Sequence, residues 1–191
     1  MIKPATSSLQ CGYASDGGYL CPLKYTDAEL VILPLADCDE EQQRQAVALL
    51  RDTFATSMKI STESECKEHV LANYCCSPTD IMYVLRMEDR VVGAVSVDRK
   101  NFFPCIGHLV VHPGMRRKGY GEKLLRFAEA CVKHQKFPDA FLWHARDDVR
   151  LLEYYTKRGY STMDQDAALF VHPQDTIVLR KNVMPKAMAW S

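Results

Sequence analysis

Apolar and polar positions follow two periods along this chain, and each change of period marks a new element. "ELVILPL", Glu29 to Leu35, is a short apolar run ended by a proline and reads as a strand. The acidic turn "ADCDEEQQ" leads into "RQAVALLRDTF", where Ala46, Val47, Leu50 and Phe54 share a face at helical spacing and Asp39 is placed to cap the start. A second helix opens on the capping-box pair Thr62 and Glu65 and is lined by Cys66, Val70 and Tyr74. "IMYVLRM" and "VVGAVSV" are strand-like runs separated by Glu88, Asp89 and Arg90, which predicts an antiparallel hairpin.

"CIGHLVV", Cys105 to Val111, is the next strand. The helix after it carries Leu124, Leu125, Ala128, Cys131 and Val132 on one face and ends near "KHQKFP", where Pro138 forbids continuation. "AFLWHA" is a strand, "DDVRLLEYYTKR" a helix stopped by Gly159, and "GYSTM", "ALFV" and "TIVLRKNV" supply the closing strands. The predicted order β, α, α, β, β, β, α, β, α, β, β is that of a mixed three-layer α/β domain over residues 29–182. Residues 1–28, rich in Ser, Gly and Thr, are expected to form an arm or extra edge segment, and 183–191 a tail.

Composition narrows what such a domain does. A chain of 191 residues supports one sizeable core, so the function sits on a single fold. The 24 basic and 24 acidic side chains cancel, which speaks against recruitment of nucleic acid or an anionic membrane by a global field. The eight cysteines never fall at the spacing of a zinc knuckle, and no histidine pair completes a metal set, so no metal is expected. The first twenty residues hold no apolar leader, and no window approaches the length of a membrane span. A reducing, cytoplasmic setting with free thiols is the expectation, with Cys11 and Cys21 as a pair that only an oxidising compartment would join.

"HLVVHPGMRRKGYGEKLL", residues 108–125, is where charge becomes local. A strand that runs through a glycine-containing turn into a helix gathers unpaired backbone N–H groups in one concavity, with the positive end of the helix dipole behind them. Gly119 and Gly121 keep side chains out of that concavity, and Arg116, Arg117 and Lys118 rim it, so a diphosphate suits it. There is no third glycine for a dinucleotide fingerprint and no Gly-Lys-Ser/Thr ending of a triphosphate loop.

"VVHPGMRRKGYGEKLL" resembles motif A of the GNAT superfamily of N-acetyltransferases, a strand followed by Arg/Gln-x-x-Gly-x-Gly/Ala and a helix, with Arg116, Gly119 and Gly121 on the defining positions. "YYTKRGY", residues 154–160, is similar to motif B of that family, and "MEDRVVGAVSV" to its earlier hairpin, with Gly93 on the usual glycine. The resemblance implies a GNAT-like three-layer α/β/α domain with a mixed, mostly antiparallel central sheet. It implies acetyl-CoA as the donor substrate, the backbone of Leu109, Val110 and Val111 holding its pantetheine arm, and the amides of Arg116, Arg117, Lys118, Gly119, Tyr120 and Gly121 holding its pyrophosphate. Tyr155 falls on the position whose hydroxyl protonates the departing thiolate in many members. Asp148 stands where the family often has an Asn that contacts the cofactor, and as a carboxylate it lacks the amide donors of Asn. Leu151 replaces a usual small residue.

The expected reaction is direct transfer of the acetyl group to a primary amine of a small molecule or of a peptide or protein, with no covalent enzyme intermediate. The base that takes a proton from the amine is left between His108 and His144, each of which also reads as a satisfied structural histidine. "DCDEEQQ" suits a cationic acceptor and suits a solvated helix start equally. The competing reading is a catalytically silent acyl-CoA-binding regulatory module, which would have no use for Tyr155. The arm and the tail "MPKAMAWS" offer apolar residues that a second copy would cover, making a homodimer the further expectation.

Overall fold

The computed structural model describes residues 8–11, 23–58, 62–75, 77, 80–100, 103–163 and 176–184. Their elements are β1 (Ser8–Cys11), β2 (Leu23–Thr26), β3 (Val31–Pro34), α1 (Glu40–Met58), α2 (Glu63–Val70), β4 (Ile81–Met87), β5 (Arg90–Lys100), β6 (Phe103–Val111), α3 (Tyr120–His134), β7 (Asp139–Ala145), α4 (Val149–Thr156), β8 (Ser161–Thr162) and β9 (Thr176–Asn182). A π-helical turn, Leu71–Cys75, continues α2. The run "ALFV", read as a strand, lies outside the described residues, as does the tail beyond residue 184.

Local chemistry sets the ends of these elements. Asp39 Oδ1 accepts from the Gln42 N–H at 2.8 Å, so α1 starts at Glu40, ahead of the apolar pattern that marks it in the sequence. Its first turn, Glu40 and Glu41, suits the positive end of the helix dipole. Thr62 and Glu65 close the expected capping box on α2. Gly159 ends the α4 segment at φ 87°, a left-handed conformation that glycine adopts without steric cost.

Among the described residues the strands form one sheet in the order β1-β2-β3-β4-β5-β6-β7-β9-β8. Every pairing is antiparallel except β6 with β7. The expected hairpin is β4–β5, with Met87 opposite Arg90. Alternating side chains fill a core on each face. Met82 and Val84 pack with Val47, Leu50 and Val70 of α1 and α2, whereas Tyr83 and Leu85 pack with Leu124, Leu125 and Phe127 of α3. Tyr83 and Phe127 meet edge to face at 4.9 Å. Helices thus cover both faces of the middle of the sheet, and the site is built where the sheet opens.

Candidate active site

The opening begins with one irregular strand. Opposite Val95 of β5, β6 spends two residues, His108 and Leu109, because the register shifts between Ala94 and Ser96. His108 takes φ 48° to make this bulge, a conformation that non-glycine residues rarely adopt. On its other side β6 pairs with β7 at Cys105↔Phe141 and at no later pair among the described residues. The two parallel strands therefore diverge, and the edge of Leu109, Val110 and Val111 is left to a ligand that can pair as a strand would.

The chain then turns into the N-terminus of α3. The cap residue Gly119 sits at φ 84° with no side chain to bond the first amides, so those donors face outward. Arg116 Nε donates to the Val111 carbonyl at 3.0 Å, which ties the turn back to the strand. A Cβ on Gly121 would stand 3.4 Å from Tyr154 Oη and 3.7 Å from Val111 Cγ2, so a larger side chain there has only the concavity to occupy. The arrangement is an anion cradle that continues an open strand edge, and together they suit a diphosphate joined to an extended amide-bearing arm.

Leu109, Val110, Val111, Arg116, Arg117, Gly119, Tyr120, Gly121 and Tyr155 line a single groove of about 460 Å³, so most of the predicted contacts converge. A wider cleft of about 700 Å³ between α1 and the β4–β5 turn touches this groove only at Arg116 and holds neither the strand edge nor Tyr155. Lys118 is exposed, its ammonium 3.8 Å from Met115 Sδ, and does not line the groove. Asp148 caps α4, its Oδ1 accepting from the Leu151 N–H at 3.0 Å, so its carboxylate already holds a backbone donor.

Tyr155 is 8% exposed, and burial pushes its hydroxyl well above the ordinary range, so it keeps its proton. His144 lies beside it, ring centroids 6.0 Å apart and tilted by 33°. A carbonyl oxygen only accepts, so in the 2.7 Å contact between His144 Nδ1 and Ala145 O the ring Nδ1–H is the donor. Its Nε2 is buried without a partner among the described residues.

His108 belongs to the opposite face of the opening. Its Nδ1 lies 3.0 Å from Tyr74 Oη and 3.1 Å from Ser96 Oγ. Phe54 and Tyr74 present ring edges to the imidazole at 5.4 and 5.6 Å. Burial, then the negative charge of Asp98, drives the Tyr74 hydroxyl upward, so Tyr74 stays a donor. The two candidate bases are thus divided between the faces: His144 with Tyr155 and α4, His108 with α1 and the π turn after α2.

Met115, Tyr154, Arg158 and Glu122 also line the groove, and no motif of the sequence marks them for it. The "YYTKRGY" pattern does put Tyr154 and Arg158 one turn apart, yet it leaves open which face of α4 they take.

The acetyltransferase (GNAT) family model matches residues 44–160. No curated protein matches the chain in sequence. Among solved structures, an acetyltransferase from Streptococcus agalactiae 2603 superposes with a TM-score of 0.65 at 16% identity, covering 81% of this chain and 99% of that one. An aminoglycoside 6'-N-acetyltransferase complexed with coenzyme A gives 0.65 at 18%, covering 82% and 98%. A GNAT family acetyltransferase from Elizabethkingia anophelis with acetyl-CoA bound gives 0.58 at 14%, covering 81% and 99%. At these identities the likeness is one of fold.

Proposed function

The chain belongs to the GNAT family of acetyltransferases, and from that premise we propose that it transfers the acetyl group of acetyl-CoA directly to a primary amine of a small molecule or of a peptide or protein. The observation that carries this reading is the continuity of the Leu109–Val111 edge, the uncapped N-terminus of α3 and buried Tyr155 in one groove. The cradle fits the donor, because Gly121 leaves room and the α3 amides lack side-chain caps. When bound, acetyl-CoA supplies an acetyl group activated as a thioester. Residues 29–182 form the transferase domain in this reading.

The Leu109–Val111 backbone aligns the pantetheine arm and offers N–H groups to its carbonyls. The amides from Arg116 to Gly121, with Arg116 and Arg117 at the rim, hold the pyrophosphate. Tyr155 holds a proton at Oη for the departing sulfur, and burial keeps that proton in place until it is needed. In this reading the amine enters from the α1 and α2 side, where His108 packs with Phe54 and Tyr74, and His108 serves as the base. His144, its Nδ1–H held by the Ala145 carbonyl, packs beside Tyr155 and helps to fix the position of that ring. An acceptor that arrives as an ammonium loses its proton before attack, so activity rises with pH until the base is fully deprotonated.

No described helix is long and apolar enough to cross a membrane, and the thiols of Cys38, Cys66, Cys105 and Cys131 are buried. The test is release of free CoA from acetyl-CoA in the presence of a panel of polyamines, aminoglycosides and peptides, with the acetylated amine identified by mass. Amine-dependent release that Tyr155→Phe abolishes supports the proposal. Saturable CoA binding with no turnover on any amine would favour the silent acyl-CoA-binding module instead.

A further inference from the structure

The groove contains a charge that an anion cradle should avoid. Glu122 lies in the first turn of α3 and lines the same groove as Gly119 and Gly121. The adjacent Arg126, then Arg158, hold its carboxyl below the usual range, so it is ionised where a diphosphate would sit. An acid at a helix N-terminus stabilises the helix, but here it also competes with the ligand.

Arg158 answers this charge from the facing wall. Its Nη2–H donates to Glu122 Oε2 at 3.1 Å and its Nη1–H to the Tyr154 carbonyl at 2.8 Å. The guanidinium lies 3.7 Å above the Tyr154 ring, while Nε makes no hydrogen bond among the described residues. Tyr154 in turn abuts Gly121, so this stack forms the α4 side of the cradle, across from Arg116 and Arg117. The Arg158 side chain is 26% exposed and therefore within reach of a ligand in the groove.

Glu122 has a second cation. Arg126 Nη2 pairs with its Oε1 at 2.6 Å from the outer side of α3, and Arg126 does not line the groove. Arg158 can therefore leave Glu122 without stranding a carboxylate, whereas a phosphate in the cradle offers Arg158 an anionic, fork-matching acceptor.

We propose that Arg158 is a phosphate-binding residue for CoA, parked on the Tyr154 ring and on Glu122 and transferred from Glu122 to a CoA phosphate on binding, with Glu122 lowering the affinity. This rests on the acetyl-CoA reading above and adds a residue and a competitor to it. The bound phosphate is either the pyrophosphate or the 3'-phosphate, which share this chemistry.

Calorimetric titration of the full chain with CoA and with 3'-dephospho-CoA tests it, using wild type, Arg158→Gln, Arg158→Lys, Glu122→Gln and Arg126→Gln, each checked by thermal unfolding. Arg158→Gln should weaken CoA about tenfold, the scale of one charge-assisted hydrogen bond, and Arg158→Lys should recover part of that loss. Glu122→Gln should tighten CoA by about threefold, while Arg126→Gln, which removes the second cation of Glu122 and leaves Arg158 in place, should weaken CoA by no more than about threefold. An Arg158→Gln loss that persists with dephospho-CoA assigns the pyrophosphate, and one that vanishes assigns the 3'-phosphate. The proposal is overturned if Arg158→Gln binds like wild type, if Arg126→Gln weakens binding equally, or if Glu122→Gln fails to tighten it. Should Arg158→Gln not fold, Glu122→Gln decides alone. A folded wild type that binds no CoA refutes the acetyl-CoA reading itself, whereas wild-type binding with unaltered variants refutes only the role of Arg158.

Discussion

The cradle and the His108 corner occupy two ends of the same short stretch of β6, and they are assembled in opposite ways. The cradle comes from one continuous segment, Val111 to Gly121, whose turn and helix start carry their own geometry. The corner gathers Phe54 from α1, Tyr74 from the π turn, Ser96 from β5 and His108 from the bulge. A segment that binds through backbone amides tolerates change in most of its side chains, whereas a corner made of side chains depends on every element that supplies one. In the proposed reading, the first would be the donor site and the second would face the acceptor.

Variants on each side should fail in different measurements. The largest effect is expected for Tyr155→Phe, with kcat down by about 10²- to 10⁴-fold and KM for acetyl-CoA little changed, if the hydroxyl acts on the leaving group and not on binding as proposed. An equal loss in CoA affinity would contradict that division. On the acceptor side, Tyr74→Phe should lower kcat by about tenfold and shift the acidic limb of the pH profile, because it removes a hydrogen-bond partner of His108 Nδ1 while leaving CoA titration unchanged. A variant that loses stability but keeps the wild-type pH profile would reduce Tyr74 to packing.

Smaller effects sharpen the contrast. Gly119→Ala must adopt φ 84°, at a cost of about 1 kcal/mol in stability, and should loosen CoA several-fold by disturbing the turn, with no effect on the pH profile. The smallest effect concerns alkaline stability. Burial raises Tyr74 on one face and Tyr155 on the other, so each hydroxyl stabilises the fold fully below the unfolded value of about 10, and that contribution is lost as pH rises beyond it. The share of tyrosinate absorbance that Tyr74→Phe or Tyr155→Phe removes should appear together with unfolding, and early ionisation of either residue in folded protein would contradict its burial.

The same contrast explains what the sequence discloses. Local signals place the elements well: Asp39, the Thr62–Glu65 box and Gly159 act at the positions their chemistry implies. The cradle is legible because glycine spacing and helix start lie within one stretch. The bulge at His108 is not, since it depends on how β5 and β6 register, and neither is the cluster about its Nδ1, whose members lie 12 and 34 residues away in sequence. Arg158 and Glu122, separated by 36 residues, meet only because α3 and α4 share one face of the sheet. Asp148 shows the converse, a position carried over from a motif that this chain uses to cap α4.

The central claim is that the groove beside β6 binds acetyl-CoA through the α3 N-terminus. Titration of the purified wild type with acetyl-CoA, beside Gly121→Glu, addresses it most directly. Glutamate at 121 adds bulk against Tyr154 Oη and negative charge in the cradle, so the account predicts saturable one-to-one binding by wild type that is lost in the folded variant. Absence of binding by folded wild type, or equal affinity in Gly121→Glu, would contradict it.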